Sequence, residues 1–293
     1  MQIEALNQRW GVAGRIVFRE GPNGVPVVVL AAPNGVCELS LKGGQVLSYR
    51  AKGFQNALWL SPLAEFAQGK PIRGGIPVCW PWFGKAPADF PTGTGAHGFA
   101  RTAEWRVAGS EYGAADTSIT LMLTEEDATS PAWQYRYQLK LTISVGDCLT
   151  LDLQTRNMDA VPFRYSECLH TYLSVADSAQ VEVFGVEEQA VTFRDDVPHD
   201  VIYPKENGVV ALRDPVMERV LGIVAEDASA IVVWHPALNN TLADVAPDGA
   251  RRFVCIEPAN AHQQGCSPIT LAPGTAHTLS MRLQPTFIKE DSK

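Results

Sequence analysis

The chain has 293 residues, of which 46% are hydrophobic and 19% charged, as is typical of a soluble globular protein. Its net charge of -8 at pH 7 makes general electrostatic binding to nucleic acid or to an anionic membrane surface unfavourable. No run approaches the length of a membrane span, and the N-terminal residues lack the apolar segment of a signal peptide. We therefore expect a cytoplasmic protein with neither nucleic-acid nor membrane partners.

Alternating polar and apolar residues recur along the whole chain, and turn residues such as PNG, KGG, PDG and APG separate the alternating runs. These runs are, in chain order, residues 25–31, 35–41, 118–123, 134–145, 149–154, 181–186, 231–234, 253–257 and 278–283. A period of two predicts β-strands. We expect one short helical turn near residues 61–66 and no long amphipathic helix.

The clearest strand prediction is QYRYQLKLTISV, residues 134–145. Its apolar side chains, from Tyr135 to Val145, fall on one face, and polar side chains fall on the other. Gly146 and Asp147 form a turn, after which leucines alternate with polar residues again. The sequence therefore predicts a half-buried antiparallel hairpin.

Many short strands without linkers or repeats predict an all-β fold, either a large antiparallel β-sandwich or a barrel. We expect residues 1–293 to form a single domain.

The six cysteines include no CxxC pair, and several of them lie in apolar runs. They are interpreted as buried free thiols rather than a zinc site or a disulfide framework: Cys37, Cys79, Cys148, Cys168, Cys255 and Cys266.

Residues 71–84, PIRGGIPVCWPWFG, place one arginine in an apolar and aromatic setting. Burying the Arg73 guanidinium without an anionic partner would cost several kcal/mol. That partner is either a bound anion or an internal carboxylate. The aromatic residues Trp80, Trp82 and Phe83 fit either a ligand pocket or core packing.

Two further segments contain candidate acid–base residues. Glu257 ends the apolar run of FVCIEPAN, where partial desolvation would raise its pKa, although it could also mark an exposed strand end. His170, within SECLHTYLSV, could exchange protons near neutral pH or be a hydrogen-bonded core histidine. His235, in VVWHP, could line a site but has no obvious companion.

The fourth segment is AHGFAR, residues 96–101. If it is extended, His97 and Arg101 share a face, because they are four residues apart at a period of two. They would then line either an anion or hydroxyl site or a solvated edge. The sequence has no dinucleotide-binding, P-loop or GxSxG motif, and His262 and His277 lack partners at metal-ligand spacing.

These four segments, in this order, resemble the hexose-6-phosphate branch of the aldose 1-epimerase superfamily, the glucose-6-phosphate 1-epimerases. The similar signatures are RGGIP followed by PxFG at residues 73–84, HGFAR at 97–101, LHTYL at 169–173 and CIEPA at 255–259. The resemblance implies a single antiparallel β-supersandwich, a hexose-phosphate substrate and anomer interconversion without a metal or other cofactor.

Carried over residue by residue, the resemblance implies that His170 protonates the ring oxygen and that Glu257 takes the proton of the anomeric hydroxyl. Four other residues are implied to bind the substrate, the arginines through its phosphate: Arg73, His97, Arg101 and Asp200.

Two departures from the family pattern leave the sugar and phosphate preference open. Ala96 stands where some members have a glutamine, and residues 235–240, HPALNN, replace an Asn-Pro that a lysine often follows. Two rival hypotheses also remain. One is a non-catalytic sugar or sugar-phosphate binding module, and the other is a glycosidase that would pair Glu257 with Glu167 or Asp200. A monomer is the default expectation.

Overall fold

The computed structural model describes residues 3–88, 90–206, 208–240, 242–261 and 267–288. Its regular structure is almost entirely antiparallel β-strand. The first ten strands are β1 (Ile16–Glu20), β2 (Pro26–Ala32), β3 (Gly35–Ser40), β4 (Gln45–Ala51), β5 (Val78–Cys79), β6 (Arg106–Tyr112), β7 (Thr117–Thr124), β8 (Tyr137–Val145), β9 (Leu149–Asn157) and β10 (Phe163–Tyr165). The remaining strands are β11 (Glu167–Leu169), β12 (Tyr172–Ser174), β13 (Glu182–Phe184), β14 (His199–Pro204), β15 (Val210–Asp214), β16 (Arg219–Glu226), β17 (Ala230–His235), β18 (Phe253–Asn260), β19 (Ile269–Leu271) and β20 (Ala276–Phe287).

An eight-stranded sheet forms one layer, in the order β13-β15-β16-β20-β9-β8-β7-β6. The predicted hairpin is its β8–β9 pair, in which Tyr137 lies opposite Asn157 and Val145 opposite Leu149. Alternate residues of β8 are buried, as the period of two requires. Tyr135, expected on the buried face, precedes the strand and is 37% exposed, so the prediction was wrong for that residue.

The other layer contains a four-stranded sheet, β1-β2-β3-β4, and a six-stranded sheet, β14-β17-β18-β11-β5, in which β12 also pairs with β18. One hydrophobic core cluster joins buried residues of these sheets to buried residues of the eight-stranded sheet. The fold is therefore a large antiparallel β-sandwich, one of the two architectures that the sequence predicted. Strands β10 and β19 form a separate pair.

The central strand β18 is buried along its whole length, so its two faces have different neighbours. Val254 and Ile256 point into the core between the layers. Phe253 and Cys255 belong to a second apolar cluster on the opposite face of the sheet. Since successive side chains point to opposite faces, Glu257 lies on the same face as Cys255, away from the core.

Helix is scarce. The sequence analysis did not predict α1, Ile3–Trp10, which has about two turns and buries only Leu6. The helical turn expected near residues 61–66 was wrong. This segment holds one hydrogen-bonded turn, from Ala64 N to Ser61 O, instead of a helical turn. The Ser61 side chain accepts a hydrogen bond from Leu63 N, and local bonds of this kind compete with helix formation. Within the described ranges, no helix is long and apolar enough to cross a membrane.

The cysteines in the described part of the chain are unpaired. Cys37, Cys79, Cys168 and Cys255 are buried, as expected, whereas Cys148 is partly exposed. Cys266 and His262 lie outside the described residues.

Candidate active site

A two-residue interruption between β11 and β12 places His170 beside Glu257. Both strands pair with β18 in one continuous register, with Cys168 opposite Ala259 and Tyr172 opposite Cys255. Counting along that register puts His170 opposite Glu257. The His170 Nδ1 atom lies 3.1 Å from Glu257 Oε1, although the two groups are not aligned as a hydrogen bond. Both side chains are buried, with relative exposures of 8% and 1%.

Burial shifts the proton equilibria of this pair towards the neutral forms. Desolvation raises the pKa of Glu257 well above its ordinary value, although a hydrogen bond from Cys168 works against the shift. Desolvation likewise lowers the pKa of His170 well below its ordinary value, and the positive charges of His97, Arg101 and Arg73 add to this effect.

Arg73 has an internal partner, which is the alternative that the sequence left open. Its Nε lies 3.0 Å from Asp244 Oδ2, and its Nη1 donates to the Tyr172 hydroxyl at 2.8 Å. The Tyr172 ring stacks on the His170 ring, with centroids 4.8 Å apart and an interplanar angle of 7°. An ion pair therefore anchors the aromatic ring that supports His170.

Gly75, two residues further on, has φ +64°, and a Cβ atom there would lie 2.1 Å from Val46 O, so the close approach needs glycine.

His97 lies in a turn and not on a strand, so the condition under which His97 and Arg101 would share a strand face is not met. Its φ is 62°, and a short 3₁₀ turn, Ala100–Thr102, follows it. Gly98 also has a positive φ, and a Cβ atom there would lie 1.9 Å from Trp80 O. The tight turn therefore requires glycine at this position. The His97 Nδ1 atom accepts a hydrogen bond from Gly84 N at 3.3 Å, and its ring lies 5.6 Å from that of His170.

Arg101 reaches the same place from the 3₁₀ turn. Its Nη2 donates to Ala96 O at 2.8 Å, while its buried Nε has no hydrogen-bond partner among the described residues. Ala96, the first departure from the family pattern, thus contributes through its backbone. Asp200 on β14 faces the cavity from the far edge of the sheet, because it pairs with Trp234 of β17.

The structure brings all six predicted site residues together around one cavity of about 290 Å³. They are Arg73, His97, Arg101, His170, Asp200 and Glu257. A buried histidine and a buried glutamate thus lie side by side at the wall of a small cavity, and two arginines line the same cavity. This arrangement suits proton transfer on a small polar molecule that bears an anionic group.

Comparisons with known proteins give this geometry a family. The sequence profile described as aldose 1-epimerase matches residues 26–284. The chain belongs to the aldose 1-epimerase family. It is an isomerase, and the substrates of its family are small sugars.

Individual relatives cover most of the chain. A protein of Escherichia coli K12, provisionally named glucose-6-phosphate 1-epimerase, is 29% identical over 264 residues, which are 85% of this chain and 87% of that protein. A crystal structure described as a provisional mutarotase from Salmonella typhimurium has a TM-score of 0.84 and 25% identity, and covers 95% of this chain and 96% of its own. Galactose 1-epimerase from Lactobacillus acidophilus, at 13% identity, shares the fold, with a TM-score of 0.70 over 93% of this chain and 98% of its own.

Several sequence-based candidates of this epimerase lie outside the cavity. His235 is buried, and its Nε2 lies 3.0 Å from Ala250 O, so it is a hydrogen-bonded interior histidine. Trp80 packs in the main core, and Trp82 donates to Gly95 O. Of the three aromatic residues in that segment, Phe83 lines the cavity.

Glu167 does not face the cavity, which removes it as a second carboxylate for a glycosidase. Its carboxylate lies 3.2 Å from His277 Nδ1 and accepts a hydrogen bond from Asn260. Since Glu167 and Asn260 lie opposite each other in the sheet and alternate with Cys168 and Ala259, they point to the other face. Asp200 does line the cavity.

Sequence reasoning missed two kinds of site residue. Val232, Trp234 and Leu242 line the cavity with apolar surface, and nothing in an apolar run distinguishes such residues from core. Asp244 and Tyr172 support the site from behind. An arginine in an apolar segment indicated an anionic partner, but not whether this is a bound anion or a carboxylate of the chain, nor which residue carries it.

One group of side chains has the donor types of a metal site. Potential ligand atoms of His170, Cys255 and Glu257 lie within 4.8 Å of one another. Burial raises the pKa of the Cys255 thiol well above its ordinary value. A thiol must lose its proton to bind a metal, so this environment opposes metal binding.

Proposed function

We propose that this epimerase interconverts the α and β anomers of a hexose 6-phosphate, with D-glucose 6-phosphate as the first substrate to test. The observation that supports this most directly is the buried His170–Glu257 pair in a cavity that two arginines also line. The E. coli relative bears the name of the same activity. The expected absence of a metal or other cofactor remains part of the proposal.

The reaction opens a cyclic hemiacetal and closes it again on the other face. Glu257 takes the proton from the anomeric hydroxyl, and His170 donates a proton to the ring oxygen as the C1–O5 bond breaks. Since His170 Nδ1 faces Glu257, we assign the donation to Nε2. After rotation about C1–C2, the two residues exchange roles and the ring closes. Each proton transfer of this kind contributes about 10²–10⁴-fold to a rate.

The buried setting favours the opened state. Before opening, the imidazolium and the carboxylate are charged. After the two proton transfers, both side chains are neutral. Because burial lowers the pKa of His170 and raises that of Glu257, the cavity stabilises the neutral pair relative to the charged one. This setting thus favours the protonation states that the two side chains have after ring opening.

A phosphate group would bind at the arginines and act on the acid as well. Arg101 lines the cavity with its guanidinium group, and Arg73 offers the part of its guanidinium that Asp244 and Tyr172 do not engage. The positive charges of these arginines help to lower the pKa of His170. A bound phosphate offsets that charge and thereby raises the pKa of His170, which readies it to donate a proton.

His97 and Asp200 complete the proposed substrate contacts, since both line the cavity and can hydrogen-bond sugar hydroxyls. We also propose that the epimerase acts as a monomer in the cytoplasm. All six proposed site residues come from one chain, so the site needs no second copy. Light scattering coupled to size exclusion would test the monomer.

Anomer-exchange NMR tests the function. We expect purified protein to accelerate exchange between the anomers of glucose 6-phosphate far above the rate in buffer, and to act much less on glucose and galactose. Equal acceleration of free sugars would retain the chemistry and remove the phosphate from the proposal. Binding of glucose 6-phosphate without any acceleration would contradict the enzyme and favour a sugar-phosphate binding module.

A further inference from the structure

A thiol lies against the proposed base. Cys168 on β11 and Glu257 on β18 share one face of the six-stranded sheet, and Cys168 Sγ lies 3.1 Å from Glu257 Oε2. Both residues are buried, with relative exposures of 0% and 1%. Cys168 does not line the cavity, so it reaches the substrate only through Glu257.

The two carboxylate oxygens of Glu257 have different neighbours. Oε1 faces His170, whereas Oε2 accepts the hydrogen bond from Cys168. Within the described ranges, this thiol is the one hydrogen-bond donor to the carboxylate. A buried carboxylate without a donor loses its solvation with no compensation, so a single donor has a large influence on its orientation and charge.

Cys168 is a donor and not a thiolate. Burial raises the pKa of its thiol well above the ordinary value, and the neighbouring Cys79 and Glu257 act in the same direction. Cys79 lies directly opposite Cys168 on β5. Burial opposes ionisation of Cys79, but a hydrogen bond from Cys168 and the charges of His97 and Arg101 lower its pKa. The proton therefore stays on the sulfur of Cys168, and within the described ranges the side-chain hydrogen bond of this thiol is the one to Oε2 of Glu257.

We propose that Cys168 is a positioning residue: its thiol donates a hydrogen bond to Oε2 of Glu257 and thereby directs Oε1 at the reacting hydroxyl. The inference rests on the proposed function, in which Glu257 is the base. The simpler alternative is that Cys168 fills space in the small apolar cluster that also contains Cys79, Val232 and Ala259. Space filling does not require a donor, and this difference makes the two accounts separable.

Other groups also act on Glu257 and must stay constant in any test. His170 faces it from the β11–β12 junction, Cys79 from β5 and Asp200 from β14, while Cys255 lies two residues before it on β18. The charged groups that line the same cavity are Arg73, Arg101 and His97. The test therefore changes Cys168 alone and compares pH profiles.

The variants are Cys168→Ala, which removes the donor, and Cys168→Ser, which keeps one. For Cys168→Ala we expect kcat to fall about tenfold and the acid limb of the kcat profile to move to higher pH by about one unit, with KM nearly unchanged. For Cys168→Ser we expect kcat near that of the wild type and an acid limb at the same or lower pH. Cys37→Ala is the matched control, since Cys37 is equally buried but lies on β3.

An unchanged acid limb in Cys168→Ala, or equal losses in the alanine and serine variants, would overturn the positioning role. If Cys168→Ala does not fold, the serine variant alone decides, because a hydroxyl is the stronger donor and must not move the acid limb to higher pH. The wild type is measured first. Its failure to accelerate anomer exchange would refute the proposed function, whereas an active wild type with unaffected variants would refute this inference alone.

Discussion

In the eight-stranded sheet, buried and partly exposed residues alternate along each central strand, whereas β18 of the six-stranded sheet is buried on both faces. The buried positions of β8 and β9 are apolar except for Thr155 and Asn157. Strand β18 instead places Glu257 and Asn260 among apolar residues, and its neighbours add His170 and Glu167. Buried polar side chains are costly, and here Asn260 donates a hydrogen bond to Glu167 while His170 lies 3.1 Å from Glu257.

This difference separates stability from chemistry within one sandwich. The eight-stranded sheet contributes a continuous apolar face, and its side chains need only the right size and shape. The six-stranded sheet uses one face for the same core and the other for the cavity. Its backbone pairing holds the proposed acid and the proposed base on adjacent strand segments, where their separation depends on register and not on a mobile loop.

The strongest test of this separation replaces the acid or the base. We expect Glu257→Gln and His170→Ala each to reduce anomer exchange by about 10²–10⁴-fold, since each removes one proton transfer. The thermal unfolding midpoint of Glu257→Gln should not fall, because glutamine has nearly the same size and burial already disfavours the ionised carboxylate. NMR exchange rates and circular dichroism measure the two effects. Glu226→Gln, on the exposed face of β16, is the control, and an active Glu257→Gln would disprove the assigned role.

A core substitution in the eight-stranded sheet should have the opposite profile. Leu141 lies between Leu121 and Leu153 on the neighbouring strands, and all three are fully buried. We expect Leu141→Ala to lower the free energy of unfolding by about 2–5 kcal/mol through lost burial and a cavity. Activity per folded molecule should remain that of the wild type. Urea unfolding would measure the loss of stability, and anomer-exchange NMR would measure the activity. A large loss of kcat in fully folded protein would contradict the separation of stability from chemistry.

The anion contacts should affect binding more than chemistry. We expect Arg101→Ala to raise KM for glucose 6-phosphate by roughly 10- to 100-fold, because a charge-assisted hydrogen bond is lost. The effect on kcat should be smaller and should come from the changed pKa of His170, which the charge of Arg101 helps to lower. Exchange of free glucose should change little, and Arg50→Ala, an exposed arginine of β4, should change neither. Equal effects on glucose and glucose 6-phosphate would place the phosphate elsewhere.

The smallest expected effect concerns the second buried pair, Glu167 and His277. Burial raises the pKa of Glu167; burial also opposes protonation of His277, but the Glu167 carboxylate outweighs it and raises that pKa as well. A raised folded-state pKa stabilises the fold below the unfolded-state value and loses this effect as pH rises through the folded-state value. The test compares the wild type with the double variant Glu167→Gln/His277→Gln. Relative to that variant, the wild type should lose stability as pH rises from about 4.5 through the pKa of His277, which lies above 6.5.

Urea unfolding across this pH range measures the effect. His199→Gln is a control of opposite sign, since burial lowers the pKa of His199 and its removal should favour the variant at acid pH. A pH-independent difference for the double variant would show that the pair does not titrate differently on unfolding.

The sequence predicted an antiparallel all-β fold, a sandwich or a barrel, because half-buried strands alternate visibly, as residues 137–145 do, and the family resemblance implied the sandwich. It identified His170 and Glu257 as candidates because a titratable residue in an apolar run is conspicuous. It could not place HGFAR, since a positive φ at His97 depends on how the Trp80 carbonyl packs against Gly98. It could not name Asp244 as the partner of Arg73, because 171 residues separate the two in the chain.

Strand β18 has a consequence for how this chain can change over evolutionary time. Its even-numbered positions up to Ile256 face the core, while Cys255 and Glu257 face the cavity side. A substitution alters one of these compartments at a time. Deletion of a single residue between Phe253 and Glu257 would exchange the two sets, burying the carboxylate in the core and turning core side chains into the cavity. This segment can therefore accept point replacements but not changes of length, and length variation should collect in the connecting loops.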